Sequence, residues 1–283
     1  MLIPRMPELP EVQTIVNDLN RAGVAGMPIT GINVTWRKSI ATHSIKSLYD
    51  CLVTCSIRSI TRRAKFIKML LSNEMWLFVH LRMSGRIAVC NSNDAPDKHE
   101  HVTISFADGR DLRFHDTRKF GRWYLVAAPA TIEAHLGPEP LDARFTPARF
   151  GTMLKQHNRQ LKPLLLDQTF LAGLGNIYVD EALWQASLHP QTISSSLSAR
   201  KSGKLHAAIV SVLTTGINNL GTSLGTGRAN FYSIGKRQGR NKDQLNVFRR
   251  TGLACPRCVN SLIVRRVIAQ RSTHICPKCQ RRS

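Results

Sequence analysis

Acidic residues are scarce in this chain: 18 Asp and Glu stand against 40 Lys and Arg in 283 residues, for a formal net charge of +22. A polyanion partner follows, because Lys and Arg contacts to phosphates release condensed counterions and drive binding. Long apolar runs are missing too. No stretch approaches 18 consecutive apolar residues, which excludes a transmembrane helix as a sequence-level expectation. The opening MLIPRMPELPEV holds no apolar segment long enough for a secretory signal, so a cytoplasmic location is expected. No basic amphipathic helix stands out, which argues against an acidic membrane surface as the polyanion. Internal repeats are absent. Cysteine is sparse outside one cluster: Cys51, Cys55 and Cys90 are scattered through strand-like sequence and read as small buried hydrophobes.

What is present is enough apolar sequence, 42%, to bury real cores in a chain long enough for two modest domains and a small module. A helix is expected from Pro10, with Val12, Ile15, Val16, Leu19 and Ala22 on one face and Gly23 as its stop. From about 30 to 127 the pattern is that of strands: Ile32–Trp36, Leu52–Ile60, Phe66–Leu71, Trp76–Leu81, Val102–Phe106, Leu112–His115 and Trp123–Val126. Asp108-Gly109 supplies a hairpin turn. Many short strands without intervening helices predict an antiparallel sandwich or barrel. The Pro-rich stretch 136–147 reads as a linker. Helical periodicity follows at about 147–157, 161–167, 177–187 and 198–219. Residues 221–244, rich in Gly, Arg, Lys and Asn, read as a mobile loop. The positive charge concentrates at this end, with 16 Lys and Arg against Asp243 alone in 201–283.

Cys255-Pro-Arg-Cys258 is followed after 17 residues by Cys276-Pro-Lys-Cys279. Two such knuckles at this separation are a specific zinc signature, each presenting two thiolates from a tight turn. Four thiolates leave no open coordination position, so the one expected Zn2+ is structural. Residues 261–268 and 273–275 are expected to form the hairpin between the knuckles. Arg265, Arg266 and Arg271 give that hairpin a basic surface suited to phosphates.

The segment Met6-Pro-Glu-Leu-Pro-Glu-Val12, the stretch Lys162-Pro-Leu-Leu-Leu-Asp-Gln168 leading to Gly173-Leu-Gly-Asn-Ile-Tyr178, and the paired knuckles resemble one family in the same order. That family is the formamidopyrimidine-DNA glycosylases, bacterial repair enzymes for oxidised purines. The resemblance spans Met6 to about Gln280. It implies an α+β multidomain fold: an N-terminal antiparallel β-sandwich, a helix-two-turns-helix domain and a C-terminal zinc β-hairpin. The expected boundaries are 7–135 for the sandwich with its leading helix, 136–147 for the linker, 148–244 for the helical domain and 245–283 for the zinc finger. Residues 1–6 are expected to be a non-native or removed extension. The partner implied is double-stranded DNA containing oxidised purines, bound by a monomer.

The resemblance also implies roles. Pro7, freed of the preceding methionine, would be the nucleophile, since an α-amine titrating near 8 keeps a useful unprotonated fraction near neutral pH. Glu8 matches the acid/base residue. Lys65 and Arg271 match a lysine and a zinc-hairpin arginine that hold the lesion's phosphate. Met83, Arg118 and Phe120 match the residues that fill and wedge the duplex once a base leaves it. Asn176 sits where turns before a helix expose N–H groups to a phosphate. Arg159 and His99 are placed with the DNA-contacting residues, and His80 is expected to orient the Met83 loop. Pro7 is an amide in any chain that retains Met6, and Met6 is the expected true start. Four positions depart from the usual family pattern: Arg82 and Val259 stand where glycine is usual, Thr117 where proline is, and Lys119 where a second arginine is common. The nearest rival reading is the endonuclease VIII branch, which prefers oxidised pyrimidines. A damage-binding protein without catalysis and a zinc-ribbon transcription accessory are others.

Overall fold

The structure, a computed structural model, describes residues 6–224, 231, 234 and 237–282. Residues 1–5 of the expected extension 1–6 and the centre of loop 221–244 lie outside the described residues. The chain forms two compact units, one from Met1–Ala134 and Asn219–Arg240, the other from His135–Asn218 and Asn241–Ser283.

The first unit opens with helix α1 (Leu9–Arg21), which has Glu8 as N-cap, a proline in its first turn, and Val12, Ile15, Val16 and Leu19 buried along one side. Gly23, at φ +63°, ends it in the left-handed conformation that glycine adopts without steric cost. Eight strands follow: β1 (Ile29–Val34), β2 (Ile57–Arg63), β3 (Phe66–Leu71), β4 (Trp76–His80), β5 (Gly85–Asn91), β6 (Glu100–Phe106), β7 (Arg110–Asp116) and β8 (Arg122–Val126). They make two four-stranded antiparallel sheets, ordered β1-β6-β7-β5 and β2-β3-β4-β8. Alternation decides which side chains turn inward: on β3, Ile67, Met69 and Leu71 are buried while Phe66, Lys68 and Leu70 are half-exposed. Both sheets and α1 contribute to a single apolar core, so the expected antiparallel sandwich is present.

Three expectations for this unit are corrected. The run Leu52–Ile60 is not one strand: Leu52 ends helix α2 (Ile45–Leu52), and β2 starts only at Ile57. Ser44 caps α2 by accepting the Ser47 N–H at 3.0 Å, and Leu48 and Leu52 bury one face. The strand expected at Ile32–Trp36 lies earlier, at Ile29–Val34, and β5 was not foreseen. Cys51, Cys55 and Cys90 are half-buried rather than buried, with Cys51 in α2 and only Cys90 in a strand.

After the short helix α3 (Ala130–Glu133), the second unit contains α4 (Pro147–Lys155), α5 (Leu161–Leu166), α6 (Asn176–Gln185), α7 (Ala199–Asn218) and the hairpin β9 (Val264–Ile268) with β10 (Arg271–Ile275). The four helices match the expected spans closely. Residues 167–175 form the two turns between α5 and α6. The Gln168 side chain folds them by accepting the Gly173 N–H at 2.9 Å and donating to Leu166 O and Leu174 O. Among the described residues no helix is long and apolar enough to cross a membrane.

Candidate active site and zinc centre

In the first unit Pro7 is half-buried directly before α1, and Glu8 is buried at its N-cap. This turn is held by Glu11, a buried carboxylate not singled out in the sequence. Its Oε2 accepts the Glu8 N–H at 2.9 Å and its Oε1 accepts the Thr222 N–H at 2.7 Å. The spacing of Glu11 three residues after the N-cap was the available signal. Lys65, also buried, lies in the two-residue turn between β2 and β3, where Ala64 adopts φ +51°. Helix α1 braces this turn: Gln13 Oε1 accepts from Arg62 Nε at 3.0 Å, and Arg62 Nη1 donates to Ala64 O at 3.0 Å.

Met83, Arg118 and Phe120 occupy two short loops that one side chain ties together. Asp116, at the end of β7 and fully buried, accepts from Ser84 Oγ and from the Arg118 N–H (3.2 Å) on Oδ1, and from the Gly121 N–H (2.7 Å) on Oδ2. Gly121 must be glycine, since a Cβ there would lie 2.3 Å from the Phe114 ring. Phe120 is exposed, with the Arg118 guanidinium 4.7 Å from its ring centroid, and the Lys119 ammonium lies 4.2 Å from the Trp36 ring centroid. The departures Arg82 and Lys119 both sit in the left-handed region, at φ +53° and +60°. A glycine habit at position 82 therefore has a backbone cause.

His80 holds the Met83 loop as expected: its Nδ1 accepts the Arg82 N–H at 3.0 Å, and its ring meets Phe66 edge-on at 4.7 Å. Burial, together with the Arg82 and Lys65 charges, lowers its pKa from 6.5 to about 3, so the ring is neutral at physiological pH. A neutral folded-state histidine contributes stability that is complete above pH 6.5 and is lost as pH falls towards 3. The loss is at most about 1.4 kcal/mol per pH unit from this group. Urea midpoints of the wild type should fall between pH 7 and pH 5, and His80→Gln should flatten that fall; equal slopes would contradict the buried neutral ring. His99 is half-buried against the His115 ring, 5.4 Å between centroids, and its carbonyl accepts the Asp116 N–H.

In the second unit Asn176 begins α6 and Arg271 begins β10, and the residue after Arg271 joins them. Ser272 O accepts from Asn176 Nδ2 at 2.9 Å and from Lys162 Nζ at 3.0 Å. Lys162 is itself fully buried and pairs with Asp180 Oδ1 at 2.6 Å, while Asp180 Oδ2 accepts the His274 N–H (2.9 Å) and sits 3.0 Å from His274 Nδ1. A lysine inside the apolar run 161–166 was the sequence signal for such a buried pair. Arg271 is exposed and follows the tight turn Ala269-Gln270, both at positive φ. Arg159 is exposed too, with its guanidinium 2.8 Å from Asp167 Oδ2.

The zinc knuckles dock on the end of α6. Trp184 Nε1 donates to Cys255 Sγ at 3.4 Å, the Arg257 guanidinium stacks 4.2 Å from the Trp184 ring centroid, and Gln280 Nε2 donates to Leu188 O at 2.9 Å. The sulfurs of Cys255, Cys258, Cys276 and Cys279 all lie within 4.8 Å of one another, with Cys255–Cys279 at 3.9 Å and Cys258–Cys276 at 3.6 Å. Tetrahedral zinc with Zn–S bonds of about 2.3 Å needs sulfurs roughly 3.8 Å apart, so this set fits one structural Zn2+. Val259, the departure in this turn, is 67% exposed at φ +55°, a strained conformation for a β-branched residue. Val259→Gly loses little packing and should stabilise the zinc module by about 0.5–1 kcal/mol after the glycine entropy cost. Slower zinc loss to a chelator is the measurement, and faster loss would refute the strain argument.

Comparison with known proteins follows the same division. Residues 6–123 match the formamidopyrimidine-DNA glycosylase N-terminal domain, 136–227 its H2TH domain, and 252–282 the zinc finger found in FPG and IleRS. The formamidopyrimidine-DNA glycosylase of Protochlamydia amoebophila is 46% identical over 98% of this chain and 100% of its own length. That of Herpetosiphon aurantiacus is 42% identical over 97% and 100%. A crystal structure of Lactococcus lactis FPG in complex with Fapy-dG-containing DNA superposes with a TM-score of 0.88 at 33% identity, covering 97% of this chain and all of that one. A structure of MutM with DNA containing carbocyclic 8-oxo-G reaches 0.89, also at 33%, over 98% of this chain and all of that one. The chain belongs to the formamidopyrimidine-DNA glycosylase family.

Proposed function

We propose that this protein is a bifunctional DNA glycosylase and AP lyase that removes oxidised purines, 8-oxoguanine and formamidopyrimidines, from duplex DNA in base excision repair. The observation that carries the reading is the start of α1, where Pro7 precedes a buried Glu8 whose backbone is fixed by Glu11. It occurs in a chain whose relatives are bound to DNA carrying Fapy-dG and 8-oxo-G.

Once Met6 and all residues before it are removed, Pro7 offers a secondary amine. Its lone pair attacks C1′ of the damaged nucleotide, an N–C1′ bond forms, the bond to the base breaks with its electron pair leaving on the base, and the proton released from the proline nitrogen neutralises that base. The sugar ring opens to an iminium as its oxygen takes a proton, for which Glu8 is the positioned donor. Loss of a C2′ proton then expels the 3′ phosphate, and a second elimination expels the 5′ phosphate. Lys65, Asn176 and Arg271 hold backbone phosphates, with Arg159 and His99 as further DNA contacts. Met83, Arg118 and Phe120 occupy the space the extruded nucleotide leaves, with Arg118 reading the orphaned base. The structural zinc supplies no chemistry to these steps; it keeps the hairpin that carries Arg271 folded.

The test is borohydride trapping on an 8-oxoguanine:cytosine duplex, in parallel with zinc-loaded protein beginning at Pro7 and protein retaining Met6. Hydride reduces the iminium to a stable amine, so the form beginning at Pro7 should give a covalent adduct and the other none. Adducts of equal yield from both would move the nucleophile away from Pro7. A thymine glycol duplex cleaved faster than the 8-oxoguanine duplex would favour the pyrimidine branch instead.

A further inference from the structure

Asp116 is the unexplained group in the first unit: a fully buried carboxylate with no cationic side chain paired to it among the described residues. Burying such a charge is costly unless hydrogen bonds satisfy it, and here three donors do so. Their identity is informative. The Arg118 N–H and the Gly121 N–H lie on either side of Lys119-Phe120, so one carboxylate pins both ends of that tip. The third donor, Ser84 Oγ, comes from the other loop, next to Met83, and also accepts the Arg118 N–H at 3.2 Å. The main chain reinforces the point: Asp116 O accepts the Lys119 N–H at 3.3 Å and lies 3.0 Å from His101 Nε2. An exposed phenylalanine, an exposed arginine and a half-buried methionine are therefore mounted on one buried hub.

We infer that Asp116 is a positioning residue for opposite-base discrimination, locking the Met83 loop and the Arg118–Phe120 loop into one rigid body without itself touching DNA. The inference rests on the proposed reading that those three side chains enter the duplex. With the loops locked, Arg118 can meet the orphaned base only in the geometry that also seats Met83. A mispositioned orphaned base then costs both contacts together. Asparagine cannot replace this carboxylate. It offers one acceptor oxygen where Arg118 N–H and Gly121 N–H approach opposite oxygens, so one end of the tip must lose its anchor.

The experiment compares wild type, Asp116→Asn and Ser84→Ala, each zinc-loaded and beginning at Pro7. Single-turnover excision is measured on 8-oxoguanine opposite cytosine and opposite adenine. Incision of a preformed abasic site in a single-stranded oligonucleotide, where there is no opposite base to read, is the control. A misplacement of about 1 Å costs on the order of 100-fold in a positioned reaction. Asp116→Asn should therefore slow excision opposite cytosine by about 10- to 100-fold and shrink the cytosine-to-adenine rate ratio about tenfold. Its single-strand incision should stay within about twofold of wild type. Ser84→Ala, which leaves both backbone anchors, should shrink the ratio by a smaller factor, and it carries the test should Asp116→Asn fail to fold. An unchanged ratio in a folded variant overturns the inference, as does equal loss on duplex and single strand, which would make the role merely structural. A wild type silent on every duplex would instead remove the proposed glycosylase function, and this inference with it.

Discussion

Replacing Asp180 with alanine should destabilise the second unit by about 3–5 kcal/mol. The reason is the company this carboxylate keeps. Its two oxygens hold Lys162 on one side and both the backbone and ring nitrogens of His274 on the other, all buried. Deleting it takes the counter-charge from a fully buried ammonium in the low-dielectric interior, where that charge cannot be rehydrated. The same change frees His274 in β10, the strand that Arg271 begins, so a loss of DNA affinity should accompany the loss of stability. Urea denaturation with a duplex-binding titration measures both. The double variant Lys162→Met with Asp180→Leu provides the check, because replacing a buried pair by apolar groups of similar volume is often neutral. Recovery of stability in the double variant, with DNA affinity still impaired, would identify the pair as a device for placing the hairpin. A loss below about 1 kcal/mol in Asp180→Ala would show that the pair is solvated and the burial argument wrong.

The contrast between what could and could not be read from the sequence follows from how far each signal reaches along the chain. The zinc centre was legible because its ligands come as two pairs with fixed internal spacing, each pair closing a local turn. Helix α1 and strands β3, β4 and β8 were legible because burial imprints a period of 3.6 or 2 on a single segment. Helix α2 was missed although its Ser44 cap and the spacing of Ile45, Leu48 and Leu52 were present. The apolar residues running on from Leu52 to Ile60 disguised the boundary. Strand β5 begins on a glycine whose Cβ would strike Leu81 O at 2.4 Å, and alternates Arg86 and Ala88 against Ile87 and Val89, a weak pattern on its own. The hubs were the least legible. Asp116 meets Ser84 from 32 residues away, Asp180 meets His274 from 94, and Glu181 accepts the Val247 and Phe248 N–H groups from 66 and 67. Nothing local marks Asp116, Asp180 or Glu181 as buried; only the fold brings the donors that make burial tolerable. The residues expected to touch DNA could thus be named from motifs, while the buried carboxylates that hold them in place could not.

Glu8→Gln should reduce base release by about 10²- to 10⁴-fold while leaving duplex affinity within a few-fold of wild type. The substitution is chosen because glutamine preserves the length and shape of the side chain and keeps an oxygen for the N-cap of α1, so the helix start survives. What it removes is a group able to give and take back a proton. Pro7→Gly should also abolish base release with binding retained, for a different reason: it alters the amine proposed to attack C1′. Glu11→Gln separates both from a structural effect. Its carboxylate takes one backbone donor on each oxygen, from Glu8 and Thr222, and an amide can keep only one of them. That variant should lose stability and loosen the turn at Thr222 together with activity, whereas Glu8→Gln should melt like wild type. Single-turnover excision, duplex binding and thermal midpoints on the three variants distinguish the cases. Retained turnover in a stable Glu8→Gln protein would remove Glu8 from the proton path, and would leave Glu11, the other buried carboxylate of the same turn, as the group to test next.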